Sequence, residues 1–346
     1  MIITKAHHAE TINIMHQSLN TQKEKTGSLD LGPDIIDNEL ALVKQLLIEQ
    51  LNRYSKSPFV NDVLRHFKTT GGKILRTRLV LLSGLVCGKI SKKHILVAAI
   101  LELIHSATLL HDDVIDEGKK RRGKATVNNL CGNALAVLLG DLLLSCAFRM
   151  CSDLDSEIIG IIAETASRVC EGEIMQTQQR RNWKLTEAEY LDIITEKSAV
   201  FFRNCCFIGA KLSDAVETAS GALADFGLDL GIAFQITDDL LDIVGDENQT
   251  GKTLGSDVNN NLTLAVIHLL ANSAEDQKDS LIEKLIWAAG DRKCLSDLLK
   301  SGGALEYSSR KVKCFSERAV SALEPLPQSP AKDSLIEIAG YVASRV

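Results

Sequence analysis

Residues Leu109–Asn128 read LLHDDVIDEGKKRRGKATVN. The span sets three aspartates, a glutamate and a cluster of cations directly behind a strongly apolar run. Asp112 and Asp116 are four residues apart, so on a helix they lie roughly 40° apart on one face, one turn above the other, and both can reach one ion. Asp113 stands beside that stripe, and stacked like charges repel unless something positive neutralises them. An all-carboxylate set suits a hard cation such as Mg²⁺, which keeps waters and shares its shell with substrate phosphates. Lys119, Lys120, Arg121 and Arg122 follow, the residue types that recognise phosphate. Taken alone, DDVIDE also fits a solvated acidic helix end before a basic loop. The chain then repeats the signal: Gln235–Asp246, QITDDLLDIVGD, carries Asp238, Asp239 and Asp242 behind another apolar run. Two such boxes can form two walls of one metal site.

Outward from the boxes, the 346 residues are 45% hydrophobic and 24% charged, enough for one large core. None of the five prolines falls between Pro58 and Pro325, and stretches of 3.6-residue apolar spacing fill that gap. This predicts an all-α fold, a single large helical bundle over residues 31–346 behind a polar, mobile lead at 1–30. Helices are expected from near Pro33 to Tyr54, Pro58 to Phe67, Lys92 to His111, Leu130 to Cys151 and 213 to 245. A further one ends near Trp183, and another is capped by Thr186 with Glu189 in the capping-box position. The net charge of −6, with no basic stripe, argues against a nucleic-acid partner. Nine cysteines with no CxxC pair predict free thiols in a reducing cytoplasm. The N-terminal stretch has no apolar signal core, and its acidic residues with no arginine disfavour a transit peptide. No 18-residue uncharged span occurs, so no membrane span is expected.

The pair of DDxxD boxes, with Arg121-Arg122-Gly123 soon after the first, resembles the trans-isoprenyl diphosphate synthases over about residues 34–346. That resemblance implies an isoprenoid synthase fold with a deep central cavity. It also implies about three Mg²⁺ ions held by Asp112, Asp113, Asp116, Asp238, Asp239 and Asp242. Thr69–Arg78, TTGGKILRTR, is similar to the family's GGKRxRP, departing at Ile74 and Thr77. Lys73, Arg76, His105 and Arg122 would then hold isopentenyl diphosphate, while Arg121, Lys197 and Lys252 hold the allylic diphosphate. Lys197, Ser198, Gln235 and Arg121 form the implied catalytic set. Gly140 and Asp141 match a GD motif whose helix also offers an outer face for the family's homodimer. Glu171, Gly172, Glu173 and Gln176 resemble its EGE and glutamine motif, although each also fits the polar face of a surface helix. After Asp257 the match fails, since NNNLTLA lacks the family's second Gly-Lys.

Ala107 and Thr108 occupy the positions that form the floor under the growing chain in this family. Both are small, and five residues span about 7.5 Å of helix, so the implied product is long, with farnesyl or geranylgeranyl diphosphate as primer and a quinone side chain as its destination. The alternatives are a short-chain farnesyl or geranylgeranyl diphosphate synthase, a silent subunit of a heteromeric synthase, or a terpene cyclase. A cyclase needs no second diphosphate site, and a silent subunit would have lost carboxylates. Contact with a membrane is expected to be peripheral, for product release. The stretch 262–346 reads as packing without chemistry.

Overall fold

The computed structural model describes residues 35–54, 57–69, 74–121, 123–245 and 261–345. The lead at 1–30, the glycine pair with Lys73, Arg122, and the loop carrying Lys252 lie outside the described residues.

The helices run in order as α1 (Asp37–Tyr54), α2 (Pro58–Thr69), α3 (Leu75–Cys87), α4 (Lys92–Ile115), α5 (Val127–Cys131), α6 (Asn133–Met150) and α7 (Ser156–Gln178). They continue as α8 (Glu187–Ile194), α9 (Val200–Lys211), α10 (Glu217–Val244), α11 (Leu264–Ala271), α12 (Lys278–Ala288), α13 (Arg292–Ser301), α14 (Ala304–Ala322) and α15 (Pro330–Ala343). The all-α expectation holds. The strand content described is one hairpin, β1 (Lys120–Arg121) against β2 (Lys124–Ala125), turning at Gly123 with φ 76°. Two-residue strands leave no alternating pattern, so the sequence did not announce them.

Helix α10 is the centre. Its 28 residues pack on α9 along one side and on α14 along another. Phe202 of α9 and Phe226 of α10 are the bulkiest fully buried side chains, each contributing roughly 1.5–3 kcal/mol by leaving water. The buried apolar side chains from Ile36 to Val342 form one continuous core. Helix α4 packs against α6, α3 and α1, whereas α7 packs against α8 and α9. The first box lies at the C-terminal end of α4, where Arg180 from the turn after α7 reaches Asp116 at 3.1 Å.

Boundaries differ from the sequence reading where side chains compensate. Helix α4 runs past His111 through Asp112 and Asp113 and is capped by Asp116, because returning cations neutralise its acidic end. The helix expected from Leu130 is broken at Gly132, whose φ of 85° suits glycine. The helix expected to end near Trp183 stops at Gln178 in a tight turn. Thr186 and Glu189 form the expected capping box: the Glu189 amide donates to Thr186 Oγ1 at 3.3 Å, and the Thr186 amide donates to Glu189 Oε2 at 2.8 Å. By length and composition α4 and the stretch Asn133–Asp153 are apolar enough to cross a membrane; both lie in the bundle with inward faces buried. All nine cysteines are unpaired thiols.

Candidate active site: two carboxylate boxes on different helices

The first box ends α4, and the hairpin after it folds back to meet it. Arg121 Nε and Nη2 donate to Asp113 Oδ1 at 2.9 and 2.8 Å, and Asp113 is buried. Thr126 and Asn128 fix the loop, donating to the Gly118 carbonyl at 2.7 and 3.1 Å; Asn128 also donates to the Asp113 carbonyl at 2.8 Å. Arg121 is thus placed beside the box by backbone, and its charge allows Asp113 to stay buried. Asp112 faces the interior. Burial pushes its carboxyl up to about 7, with Glu173 and Asp116 adding to the rise and Lys197 and Arg121 opposing it. Such a concentration of carboxylates in an apolar setting fits a site completed by a divalent cation. Gly140 explains the GD motif: a Cβ there would lie 2.2 Å from His111 Nε2, the residue before Asp112, and Asp141 stands 3.6 Å from the same ring.

Across from the first box, α8 passes into a π-helical turn, Thr195–Ala199, that carries Lys197 and Ser198. Such turns are rare, and they recur at functional sites. Two close approaches hold it. A Cβ on Gly172 would lie 2.2 Å from the Lys197 nitrogen, and one on Gly231 would lie 2.6 Å from Ala199 Cα. Arg168 adds a two-pronged ion pair to Glu196 at 2.6 Å on both contacts. Lys197 Nζ donates to Glu173 Oε2 at 2.6 Å and to Gln176 Oε1 at 2.5 Å. Burial works against that ammonium, but Asp112, Glu173 and Asp116 outweigh it and hold Lys197 above the usual lysine range. Glu173 and Gln176 therefore face the site, whereas Glu171 is exposed.

The second box sits on the last turns of α10. Ser198 Oγ donates to Gln235 Oε1 at 2.6 Å, and Gln235 Nε2 donates to Asp239 Oδ1 at 2.8 Å. Tyr190, which the sequence did not single out, donates its hydroxyl to Asp239 Oδ2 at 2.7 Å. Both oxygens of Asp239 thus serve an internal chain from Ser198 to Tyr190. Asp242 is buried on the same helix. Asp238 Oδ1 accepts from Arg345 Nη1 at 3.1 Å, with the guanidinium 5.8 Å from the Phe234 ring. The C-terminal stretch, read as packing alone, therefore reaches the site. No sequence motif marks Arg345. Among the described residues no three His, Cys, Asp or Glu side chains converge as a ready-made metal cluster; arginines hold the boxes instead.

Arg76 and His105 form a separate pair. Arg76 Nη1 donates to His105 Nε2 at 3.0 Å, and its guanidinium lies 5.0 and 4.8 Å from the Phe201 and Phe202 rings. Burial lowers the Arg76 pKa, opposed by Cys205, Glu102, Asp238 and Asp112. Helix α3 is entered through Ile74, at φ 47°, a left-handed conformation that costs a branched residue about 1–2 kcal/mol. Ile74 is one of the two departures from the GGKRxRP pattern. Ala107 is fully buried, and Thr108 is partly buried with Oγ1 donating to the His105 carbonyl at 2.9 Å.

Comparison with known proteins decides the family: the family model described as polyprenyl synthetase matches residues 57–300. The chain belongs to the polyprenyl synthetase family. This polyprenyl synthetase is 33% identical to the octaprenyl diphosphate synthase of Escherichia coli strain K12 over 317 residues, covering 90% of this chain and 97% of that one. It is 34% identical to an all-trans-nonaprenyl-diphosphate synthase of Rhodobacter capsulatus, covering 92% and 99%. A crystal structure of a polyprenyl synthase from Caulobacter crescentus CB15, complexed with calcium and isoprenyl diphosphate, superposes with a TM-score of 0.85 at 30% identity, covering 93% and 99%. A geranylgeranyl pyrophosphate synthase of Geoglobus acetivorans is also 33% identical over 322 residues, covering 90% and 98%, so identity alone does not rank product length. By family this chain is a prenyltransferase with the isoprenoid synthase fold.

Proposed function

We propose that this polyprenyl synthetase is a Mg²⁺-dependent, all-trans chain-elongating enzyme. It condenses isopentenyl diphosphate with farnesyl or geranylgeranyl diphosphate to a long product for a quinone side chain. The observation that supports the reading is that Arg76 pairs with His105 on α3 and α4 while Lys197 pairs with Glu173 beside the first box, two basic groups suited to two anion sites. One would lie at the Asp112 and Asp238 boxes with Lys197; the other would lie at the Arg76–His105 pair. A cyclase has use for only the first.

Asp112 and Asp116 from one wall and Asp238 from the other would hold the magnesium, which when bound supplies Lewis acidity at the allylic diphosphate. Lys197, kept charged and aimed by Glu173 and Gln176, neutralises the departing diphosphate, and Arg121 adds charge from the hairpin. Ser198 and Gln235, fixed through Asp239 and Tyr190, present dipoles toward the allylic cation. Arg76 and His105, with Lys73 and Arg122 as expected partners, orient isopentenyl diphosphate so that its double bond attacks the adjacent cationic carbon. The allylic C–O bond to the diphosphate breaks, the new C–C bond forms, and the positive charge passes to the substituted carbon of the isopentenyl unit. A proton leaves the carbon beside it to restore a double bond, the released pyrophosphate being the base at hand. Lys252 is assigned to the allylic diphosphate on the resemblance alone. The small side chains at Ala107 and Thr108 support the long product.

The enzyme acts as a cytoplasmic homodimer. Val137, Leu138 and Phe148 on the outer face of α6, the last two more than 60% exposed, support a second copy there. Unpaired thiols fit a reducing compartment. Metal-dependent pyrophosphate release from isopentenyl plus farnesyl diphosphate is the test. Release without isopentenyl diphosphate would instead show a cyclase, and no release with both substrates would show a silent subunit.

A further inference from the structure

We propose that Arg180 is a further diphosphate-binding residue, receiving the leaving diphosphate of the allylic substrate from the α7 side of the site. Arg180 lies in the turn after α7, and nothing in the sequence marks it beyond an ordinary basic pair with Arg181. Its backbone is held tightly. The amides of Gln179, Arg180 and Asn182 donate to the carbonyls of Met175, Thr177 and Gln179, and Asn182 Nδ2 donates to Gln179 Oε1 at 2.6 Å. Arg181 takes a positive φ of 59° to complete the turn. That scaffold carries the Arg180 side chain across to α4, where Nη2 meets Asp116 Oδ1 at 3.1 Å and the Ile115 carbonyl at 3.5 Å.

Two features set it apart from a surface arginine that merely neutralises an acid. Its carboxylate partner is the third aspartate of the first box, at the negative end of the α4 dipole, the position assigned to metal. In addition, Arg180 Nε is buried and has no hydrogen-bond acceptor among the described residues. A buried donor on a cation is costly to leave unmade, so it calls for an anion that arrives with the substrate. With Asp116 engaged by a divalent cation, the planar fork of Arg180 would be free to take two oxygens of the diphosphate. The Arg76–His105 pair lies on other elements, so Arg180 acts on the allylic diphosphate and leaves the isopentenyl site untouched. The inference rests on the assignment of the first box to the diphosphate site.

The test titrates inorganic pyrophosphate with Mg²⁺ into the purified full-length chain by calorimetry, for wild type, Arg180→Gln, Arg180→Lys and Asp112→Asn. Steady-state KM values for both substrates are measured on the same proteins. Arg180→Gln is expected to weaken pyrophosphate binding about ten-fold or more and to raise the KM for farnesyl diphosphate by a similar factor. The KM for isopentenyl diphosphate stays unchanged, and Arg180→Lys, with charge but no fork, recovers part of the loss. Unchanged or tighter pyrophosphate binding in Arg180→Gln overturns the role, and a lowered Tm with unchanged binding would leave Arg180 as a strut between α7 and α4. If Asp112→Asn binds pyrophosphate as wild type does, the first box is not the metal site and the inference falls with it. Weak binding by Asp112→Asn beside wild-type binding by Arg180→Gln overturns Arg180 alone.

Discussion

Gly172→Ala tests how finely Lys197 is positioned. A Cβ at residue 172 would sit 2.2 Å from the Lys197 nitrogen, 2.6 Å from its Cα and 2.7 Å from the Glu196 carbonyl carbon. All three are backbone atoms, so no rotamer relieves the clash. Reaching an ordinary contact of 3.4 Å requires α7 and the π turn to part by about 1.2 Å. Glu173, the next residue, holds the Lys197 ammonium at 2.6 Å, so the same parting stretches that contact. Overpacking of this kind costs about 1–3 kcal/mol of stability. A misplacement near 1 Å costs roughly 100-fold in rate. Gly160 lies on the same helix, and nothing stands within 4 Å of its would-be Cβ. Gly160→Ala should therefore stabilise by about 0.5–1 kcal/mol, as alanine does over glycine in an exposed helix. The assay pairs thermal unfolding with single-turnover condensation at saturating substrates. The expected pattern is a rate loss of roughly 100-fold in Gly172→Ala with KM for isopentenyl diphosphate little changed, and a raised Tm with normal rate in Gly160→Ala. Wild-type turnover in Gly172→Ala would refute the claim that the π turn positions Lys197.

Three further outcomes follow from named contacts. Arg121→Gln leaves Asp113 buried without its cation, and denaturant unfolding should show a loss of about 3 kcal/mol, part of which Asp113→Asn restores in the double variant. His94 is fully buried with Nδ1 accepting from the Ser91 amide at 3.0 Å, so its Nε2–H donates to the Gly209 carbonyl at 3.0 Å and the ring is held neutral. Burial depresses its pKa below 6.5, the Gly209 contact opposing, so below about pH 6.5 the unfolded chain binds the extra proton. Stability should be level above that pH and fall by up to about 1.4 kcal/mol per unit below it, more steeply than in His94→Gln; equal slopes in urea titrations would contradict this. Thr108→Phe should shorten the products read by chromatography while leaving the first condensation intact, and an unchanged ladder would remove Thr108 from the floor.

The helical class was legible because apolar spacing and the absence of proline act locally, residue by residue. The two boxes were legible because charge repeated at helical spacing behind an apolar run has few structural uses. What pairs with them was not. Arg121 reaches Asp113 through a hairpin too short to show a period, and Arg180 and Arg345 approach from turns far along the chain. Tyr190 looked like one residue of a capped helix, yet it closes the chain of hydrogen bonds through Asp239. The glycine of the EGE motif had no visible purpose until the backbone of Lys197 was found against it. Helix ends shifted for the same reason: partners from elsewhere in the chain let α4 run on through its acids, while Gly132 and the turn after Gln178 ended helices that apolar spacing alone carried through.

The most direct measurement uses purified protein with Mg²⁺, labelled isopentenyl diphosphate and farnesyl diphosphate, followed by chromatography of the dephosphorylated products. The account predicts a ladder extending well beyond the geranylgeranyl length, abolished by chelation and by Asp112→Asn or Asp238→Asn. A ladder that stops at geranylgeranyl, or elongation that survives loss of either aspartate, would contradict it.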